Sequence, residues 1–359
     1  MSVCSVAALL GMILTFASCT SKEEKIAQAI ELIKQDKVAE AVAIYEDLED
    51  VQDTTLLNRL GDAYADGKGI EQDSVKALTL FEKSANLGNP YAMVELGQAY
   101  AYAKGGYKMD KKETFKWYKK AADLGWAHGM YCLGCCYEYG TGTAKDLAKA
   151  VEWYKKAADK GNADGLYCLG GCYLEGKGVL VDLKETVKCF EKAAAKKHVW
   201  ATYELGRLYD NGKGVKADKK KAFEYYLKAA EMGDDYAQNA VGYAYDCGEG
   251  VKKDASKAAE WYLKAANQGN ETAMCNLAIM YENGKGIGKD MRRAVDMYKM
   301  AAEKGNATAQ YKYGYCLYNG EGVEKVDKEE AIKWVQKAAN QGNNNATEFL
   351  MLIGEGTPY

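Results

Sequence analysis

A Leu-Gly pair, or a close variant of it, recurs through most of this 359-residue chain at intervals of 36 or 37 residues. A constant interval indicates that the chain repeats one structural unit, since unrelated domains keep no common spacing. Nearly every copy also carries a Gly-x-Gly turn, an aspartate and a pair of small residues at constant offsets. The pairs are Leu60-Gly61, Leu96-Gly97, Leu133-Gly134, Leu169-Gly170, Leu205-Gly206, Val241-Gly242, Leu277-Ala278 and Tyr313-Gly314.

The copy from Met130 to Gly161 shows how the first half of the unit folds. Leu133, Gly134 and Tyr137 have the spacing of one face of an α-helix. The glycine permits close approach of a second helix, and we expect the tyrosine to fill the space beside it. The first segment is therefore predicted to be a helix that packs through this face.

The second half of the same copy supplies a turn and another helix. Gly140 and Gly142 can take positive φ, so the chain can reverse sharply between them. Asp146 then stands where it can cap a second helix, and the Ala157-Ala158 pair lets that helix pack tightly. One hairpin cannot bury its own apolar face, so neighbouring hairpins must stack.

The complete unit resembles the Sel1-like repeat, a relative of the tetratricopeptide repeat. The motifs that carry the resemblance are the Leu-Gly pair, the Gly-x-Gly-Val turn, the aspartate, the Trp-Tyr pair and the alanine pair, which are clear in Gly165 to Gly206 and Ala237 to Gly269. The resemblance implies an all-α fold, a right-handed α-solenoid superhelix of about eight Sel1-like hairpins with helical caps. The family consists largely of adaptors and scaffolds, which implies that this chain binds a partner.

The N-terminus differs from the repeats. Residues 1–18 contain no charged side chain and resemble a secretory signal peptide, although no Lys or Arg precedes the apolar run. A buried N-terminal helix is the alternative interpretation. The run Phe16-Ala17-Ser18-Cys19 resembles a bacterial lipobox, so Cys19 is the predicted lipidation site.

This interpretation divides the rest of the chain as well. Residues 19–25 are expected to form a charged tether, residues 26–53 an N-terminal helical cap, and residues 54–342 the repeat solenoid. Residues 343–359 are expected to form a C-terminal capping helix with a short tail. The mature protein would then be lipid-anchored in the bacterial cell envelope, either in the periplasm or at the cell surface.

Tetratricopeptide relatives bind peptides on a concave face lined by the first helices. Transferring that geometry at about 100° per residue places five positions of each first helix in the groove: −6, −3, +1, +4 and +5, counted from the Leu-Gly glycine. These positions are rich in tyrosine, which is common in binding hot spots. The predicted partner-binding residues are Tyr91, His128, Tyr131, Glu138, Tyr139, Tyr167, Trp200, Tyr203, Arg207, Asp210, Tyr236, Tyr243, Asp246, Tyr311 and Tyr315.

The groove composition leaves several partners open. Its carboxylates favour a protein or peptide partner with a basic segment. A carbohydrate or cell-wall ligand is the alternative, because tyrosines can also stack on sugar rings. A third interpretation is that many of these tyrosines only pack against their neighbours.

The cysteines recur at positions between adjacent first helices. Cys132 and Cys168 share one position of the unit, and Cys136, Cys172 and Cys316 share another. A free cysteine behaves as a small apolar side chain, which suits such a seam. Disulfides remain an alternative outside the cytoplasm. A four-thiolate metal site is a further alternative, although the spacing is unlike that of a zinc knuckle.

Other function classes find little support. The net charge is −3, with 48 basic and 51 acidic residues and no basic patch, so we expect no nucleic-acid binding. The two histidines, His128 and His198, lie near turns without a nucleophile in the pattern. The Gly-x-Gly turns follow no strand, so they are not dinucleotide loops. We therefore expect no enzymatic activity, no cofactor and no metal.

Overall fold

The computed structural model describes residues 21–354, and the regular elements of this stretch are nineteen α-helices. The predicted signal peptide, residues 1–18, and the predicted lipidation site Cys19 lie outside the described residues. The chain divides into two compact units, with the boundary between Val181 and Asp182. The all-α array of helical hairpins predicted from the sequence is confirmed.

The first unit begins with two helices of the N-terminal cap and continues with hairpins of 13-residue helices. Each hairpin packs a first helix against the second helix that follows it, and the next first helix packs on that second helix. The helices are α1 (Lys22–Lys34), α2 (Val38–Glu46), α3 (Thr54–Asp66), α4 (Ser74–Asn86), α5 (Pro90–Tyr102), α6 (Lys111–Asp123), α7 (Ala127–Tyr139), α8 (Leu147–Asp159) and α9 (Ala163–Glu175).

The second unit repeats this arrangement and ends with a shorter helix. Its hairpins are α11/α12, α13/α14, α15/α16 and α17/α18, and the last helix packs on α18. The helices are α10 (Leu183–Ala195), α11 (Val199–Asn211), α12 (Lys219–Glu231), α13 (Asp235–Cys247), α14 (Ala255–Asn267), α15 (Glu271–Asn283), α16 (Met291–Glu303), α17 (Ala307–Asn319), α18 (Lys328–Asn340) and α19 (Asn344–Leu352).

The first described helix starts within the segment expected to be a tether. Ser21 Oγ accepts a hydrogen bond from the Glu24 backbone N–H at 3.2 Å, and the Glu24 carboxylate accepts one from the Ser21 N–H at 2.9 Å. This reciprocal capping box satisfies two backbone donors that a helix start leaves unpaired. Lys22 to Lys25 are therefore helical. The cap hairpin breaks at residues 35–37, where Asp36 takes a φ of 64°.

The Leu-Gly glycine permits close helix approach, as the sequence predicts, but a different ring fills the space. A Cβ atom on Gly134 would lie 2.6 Å from Tyr154 Cδ1, far inside contact distance. Tyr154 belongs to the second helix and is completely buried. Tyr137, which we expected beside the glycine, instead packs edge-on against Phe115 at 5.6 Å between ring centroids. That expectation was wrong because the tyrosine across the hairpin is nearer than the one on the same helix.

The turn between α7 and α8 confirms the predicted roles of its glycines and its aspartate. Gly140 and Gly142 take φ values of 71° and 68°. Asp146 Oδ1 accepts a hydrogen bond from the Lys149 N–H at 3.0 Å and caps α8. A Cβ on Gly142 would lie 2.0 Å from the carbonyl oxygen of Lys111, the first residue of α6. This turn therefore packs closely against the N-terminus of the preceding second helix.

The helices were also assessed for their capacity to span a membrane. Among the helices of residues 21–354, none combines the length and the apolar content that a bilayer crossing requires.

Candidate partner-binding face

Large aromatic side chains stand exposed on the first helices of both units. Tyr139 is 74% exposed, Trp200 62% and Tyr236 56%, and Tyr243 is exposed as well. Tyr102, at the same repeat position as Tyr139, is 69% exposed. Every tyrosine that is exposed among residues 21–354 lies on a first helix. The predicted face therefore carries aromatic area that the fold itself does not cover.

On the second helices, lysine side chains lie over the aromatic rings of two tryptophans. Lys156 Nζ lies 3.8 Å from the ring centroid of Trp153, and Lys264 Nζ lies 3.9 Å from that of Trp261. A lysine one turn further along the helix thus covers each indole face through a cation–π contact. These two indole rings are partly covered by lysines, whereas four tyrosines of first helices are exposed, so the two kinds of helix differ in the aromatic area that they offer a partner.

Several predicted groove tyrosines are held by neighbouring side chains. The Tyr91 hydroxyl donates to Asp62 Oδ1 at 2.6 Å. The Tyr203 ring lies 5.6 Å from that of Tyr226 and 6.4 Å from that of Tyr236. Such tyrosines are half-buried, so they offer a partner an edge rather than a full face.

Packing also holds the predicted tyrosines near the C-terminal cap. The rings of Tyr311 and Tyr315 lie 6.4 Å and 5.7 Å from the ring of Phe349 in α19. Tyr167 in α9 is half-buried too. The structure thus separates the predicted residues into exposed rings and rings that pack on their neighbours.

His128 lies beside the predicted Tyr131, with 5.5 Å between ring centroids. Its Nδ1 is 3.9 Å from Asp164 Oδ2. Burial lowers the pKa of His128 below the ordinary value of 6.5, and the nearby Asp164 carboxylate only partly opposes this. The imidazole is therefore neutral at pH 7.

The predicted carboxylates of the second unit carry their own counter-ions. Asp210 pairs with Lys219 at 2.7 Å, and Asp246 pairs with Lys285 at 2.6 Å. These contacts offset the negative charge that the sequence suggested for this part of the face. An attraction for basic segments would consequently be weaker here than residue counts imply.

Two further predicted residues take part in contacts within the hairpins. Glu138 Oε2 accepts a hydrogen bond from the Tyr154 hydroxyl at 2.6 Å, which fixes the carboxylate at the end of α7. Arg207 donates to Glu204 at 2.9 Å on the same helix. Glu138 and Arg207 are thus positioned by contacts that leave part of each side chain accessible.

Two cavities lie on the first-helix face at equivalent places in the repeat, one in each unit. The aromatic cavity, of about 460 Å³, is lined by Gln98, Ala101, Tyr102, Thr114, Tyr118, His128, Tyr131, Cys132, Cys135, Cys136, Tyr139 and Thr141. The ionic cavity, of about 370 Å³, is lined by Asp210, Lys219, Ala222, Phe223, Tyr226, Asn239, Ala240, Tyr243, Ala244, Glu249, Thr272 and Asn276.

A lysine crosses the ionic cavity. Lys219 Nζ lies 2.7 Å from Asp210 Oδ1 and 2.9 Å from Glu249 Oε2. Hydrogen bonds to Asp210 and Glu249 raise the pKa of Lys219, so the ammonium stays charged. In the aromatic cavity, Ala101 and Thr141 stand where the ionic cavity has Asp210 and Glu249.

Lys219 and Glu249 were not among the residues predicted from the sequence. They lie on a second helix and in a turn, whereas the predicted groove positions were confined to first helices. A usable signal existed, since Lys219 follows Asp210 by nine residues and directly follows the capping Asp218. Tyr118 and Tyr226, which line the two cavities, also lie on second helices and were not among the predicted residues.

The thiols beside the aromatic cavity pack as small apolar side chains, as the seam pattern predicts. Cys132 and Cys136 are 8% and 2% exposed, and both thiols are free. Burial raises the pKa of Cys136 to about 12, which keeps it as a thiol at neutral pH. Within residues 21–354, no group of three or more His, Cys, Asp or Glu side chains has an arrangement that could hold a metal ion.

Comparison with known proteins agrees with this architecture. The Sel1 repeat family model matches residues 56–89, 90–126, 127–162, 163–198, 201–234, 235–270, 272–306 and 307–343. A search of curated proteins gave no match.

Two solved structures are similar over most of the chain. One is a protective antigen present in uropathogenic Escherichia coli strains, displaying an SLR fold, at 30% identity and a TM-score of 0.72. This match covers 90% of this chain and 67% of the antigen. The other is a Sel1 repeat protein from Oxalobacter formigenes, at 29% identity and a TM-score of 0.63, covering 93% of this chain and 95% of that one.

Sel1-repeat proteins generally act as scaffolds for protein interactions, and the repeat is a non-catalytic fold as a family. Bacterial members are often secreted or associated with the envelope. With eight repeats matched over most of its length, this chain belongs to the Sel1-repeat family.

Proposed function

We propose that this protein is a non-catalytic adaptor of the bacterial cell envelope that binds a peptide or protein segment on its first-helix face. The observation that supports this most is the placement of the exposed tyrosines, because all four that are exposed among residues 21–354 lie on first helices, namely α5, α7 and α13. Exposed tyrosines give a partner large contact area at a low entropic cost, which is how binding hot spots work.

The charges of the two units suggest where a basic partner segment would lie. In the second unit, Asp210 and Asp246 are paired with lysines. In the first unit, Glu138 is held by the Tyr154 hydroxyl beside the exposed Tyr139. Basic residues of the partner would therefore meet Glu138 while its apolar residues cover Tyr139.

Capture from envelope extracts tests this proposal. We expect crosslinking to the wild-type chain to recover a protein partner, and expect Tyr102→Ala/Tyr139→Ala and Tyr236→Ala/Tyr243→Ala variants to recover much less. These tyrosines are exposed, so folding should change by less than about 0.5 kcal/mol per site.

A matched control removes exposed apolar area from second helices. Leu263 and Met300 are 42% and 44% exposed on α14 and α16. The Leu263→Ala/Met300→Ala variant should recover the partner as well as the wild type does. Equal recovery by the tyrosine variants and the control would contradict binding on the first-helix face.

We further propose that acylation of Cys19 anchors the mature chain. The lipobox-like run before Cys19 supports this, as does the frequent envelope association of bacterial members of the family. Labelling with radioactive palmitate should modify the wild type and should fail for Cys19→Ala. Label that survives in the variant would refute acylation at this residue.

A carbohydrate or cell-wall ligand is the competing function for the same face. Two exposed rings, Tyr102 and Tyr139, line one cavity and have the chemistry to stack on sugar rings. Recovery of glycan alone from the extracts, without any protein partner, would favour this function over the adaptor.

A further inference from the structure

The aromatic cavity differs from its counterpart in having no charged group in its lining. Its one titratable nitrogen side chain, His128, is neutral at pH 7 because burial lowers its pKa. The ionic cavity contains Asp210, Lys219 and Glu249, which bind one another. A charged side chain entering the aromatic cavity would lose water without gaining a counter-ion from the lining.

The floor of the aromatic cavity also offers few unsatisfied polar groups. The Thr114 hydroxyl donates to the Asp110 carbonyl oxygen at 2.9 Å. Cys135 Sγ lies 3.4 Å from the Tyr154 hydroxyl. The buried thiol of Cys136 completes this surface. At these three residues a sugar hydroxyl would find few partners, because the Thr114 hydroxyl already donates and thiols hydrogen-bond weakly, whereas an aromatic ring would gain contacts with sulfur.

The rim of the cavity contains two tyrosine rings that are largely exposed. Tyr102 and Tyr139 are 69% and 74% exposed and stand one repeat apart on α5 and α7. Tyr131 and Tyr118 lie deeper in the same cavity. Aromatic pairs are more favourable than their buried area alone implies, so a planar aromatic group fits this surface better than an aliphatic one.

We propose that the aromatic cavity is an anchor pocket for one uncharged aromatic side chain, Phe, Tyr or Trp, of the partner segment. This inference rests on the proposed adaptor function and specifies the partner's anchor residue. The ionic cavity is not equivalent in chemistry, because Asp210, Lys219 and Glu249 place charged groups in its lining. A partner segment would thus place an aromatic residue in the first unit, with its basic residues outside the pocket near Glu138.

Small amides test the side-chain class directly. We expect N-acetyl-tryptophanamide and N-acetyl-phenylalaninamide to bind the full chain with dissociation constants on the order of 0.1 to 1 mM, and to shift NMR signals of the cavity residues. The lysine amide and N-acetylglucosamine serve as the cationic and sugar probes. Tighter binding of either one than of the aromatic amides would overturn the proposal.

The decisive variant builds the ionic cavity into the aromatic one. Ala101→Asp/Thr141→Glu introduces the carboxylates found at Asp210 and Glu249, and Lys111 stands at the repeat position of Lys219. Lys111 should then bind the two new carboxylates across the cavity, and the dissociation constant of the aromatic amides should rise at least tenfold. An unchanged dissociation constant would overturn the proposal.

A control variant makes the same charge change away from the cavity. Thr79 and Ala148 are exposed on α4 and α8, so Thr79→Glu/Ala148→Asp should leave amide binding unchanged. If the decisive variant fails to fold, Tyr102→Ala/Tyr139→Ala replaces it. Removal of these exposed rings should weaken amide binding at least threefold, and undiminished binding would contradict the proposal.

Partner capture separates this inference from the adaptor function. An Ala101→Asp/Thr141→Glu variant that loses amide binding and partner recovery together supports the anchor pocket. If it loses amide binding but recovers the partner fully, the anchor pocket is refuted while the adaptor proposal stands. If the exposed tyrosines prove dispensable for capture as well, the adaptor proposal fails too.

Discussion

The aromatic cavity and the ionic cavity occupy equivalent places in two copies of the same repeat. The lining of the first contains no charged side chain, whereas that of the second contains three. Ala101 and Thr141 in the first are replaced by Asp210 and Glu249 in the second. The two carboxylates bind Lys219, which fills part of the space. In the first cavity the equivalent positions carry no charge, and tyrosines and thiols surround the space.

This difference shows how a repeat fold changes its binding properties without changing its frame. Both cavities have a second-helix tyrosine as the floor, Tyr118 in one and Tyr226 in the other. Both are bounded by a Gly-x-Gly turn. Because the substituted positions are only partly buried, their charge can vary while the hairpins keep the same packing.

The largest effect should come from the turn glycines, and it should be equal in the two regions. A Cβ on Gly142 or on Gly250 would lie 2.0 Å from a backbone carbonyl oxygen, and both residues have positive φ. We expect Gly142→Ala and Gly250→Ala each to lower the free energy of unfolding by about 3 kcal/mol, from overpacking and the left-handed backbone. Urea unfolding followed by circular dichroism measures this.

Gly288→Ala is the matched control for these glycines. A Cβ there meets nothing within 4 Å, and its φ is not positive. We expect this variant to be more stable than the wild type by about 0.5 kcal/mol, because alanine restricts the unfolded chain. A clear inequality between Gly142→Ala and Gly250→Ala would show that the two cavities do not share one frame.

A second comparison concerns one half-buried glutamate in each unit. Replacement by glutamine should change the free energy of unfolding in opposite directions at the two sites. Glu282 accepts hydrogen bonds from the Lys312 ammonium at 3.0 Å and from the Tyr298 hydroxyl. Glu282→Gln should cost about 1 kcal/mol because it weakens these charge-assisted bonds. Glu95 of the first unit lies near Asp62, and burial followed by that carboxylate raises its pKa.

Glu95→Gln should therefore stabilise the chain at pH 7, by less than about 1 kcal/mol. Urea unfolding of both glutamine variants, measured side by side at pH 7, provides the test. Destabilisation of both to the same extent would mean that Glu95 has a favourable partner like that of Glu282, and the contrast between the units would fail.

The pH dependence gives a third and smaller effect. The folded-state pKa of Glu95 lies above its ordinary value of 4.5, so the folded chain binds more protons than the unfolded chain in this range. The wild type should lose stability as the pH rises from 4.5 through the folded-state pKa. The advantage of Glu95→Gln should therefore be absent below pH 4.5, grow across that window and be complete above it. An advantage independent of pH would exclude the charge as its cause.

Much of the frame could be predicted from the sequence because it recurs. Asp146 and its equivalents cap second helices as predicted, since a repeated turn leaves the same backbone donors each time. The filling of Gly134 could not be predicted, because Tyr137 and Tyr154 both suit the pattern and only the distance across the hairpin decides. The lysine in the ionic cavity depends on three elements meeting in space, which a spacing within one helix does not reveal.

The smallest expected effect concerns Lys219 and its positional equivalent Lys111. Lys219→Met removes the cation between Asp210 and Glu249 and leaves two carboxylates facing one cavity. Since the lysine side chain is 49% exposed, the loss of stability should be no more than about 1 kcal/mol. Lys111→Met should change stability by less than about 0.5 kcal/mol, because Ala101 and Thr141 give that lysine no carboxylate to bind.

Urea unfolding at low and high salt measures both variants. The loss of stability in Lys219→Met should shrink at high salt, because exposed ion pairs are screened. A salt-independent loss of equal size in both variants would indicate that the lysine stems, rather than their charges, support the two hairpins.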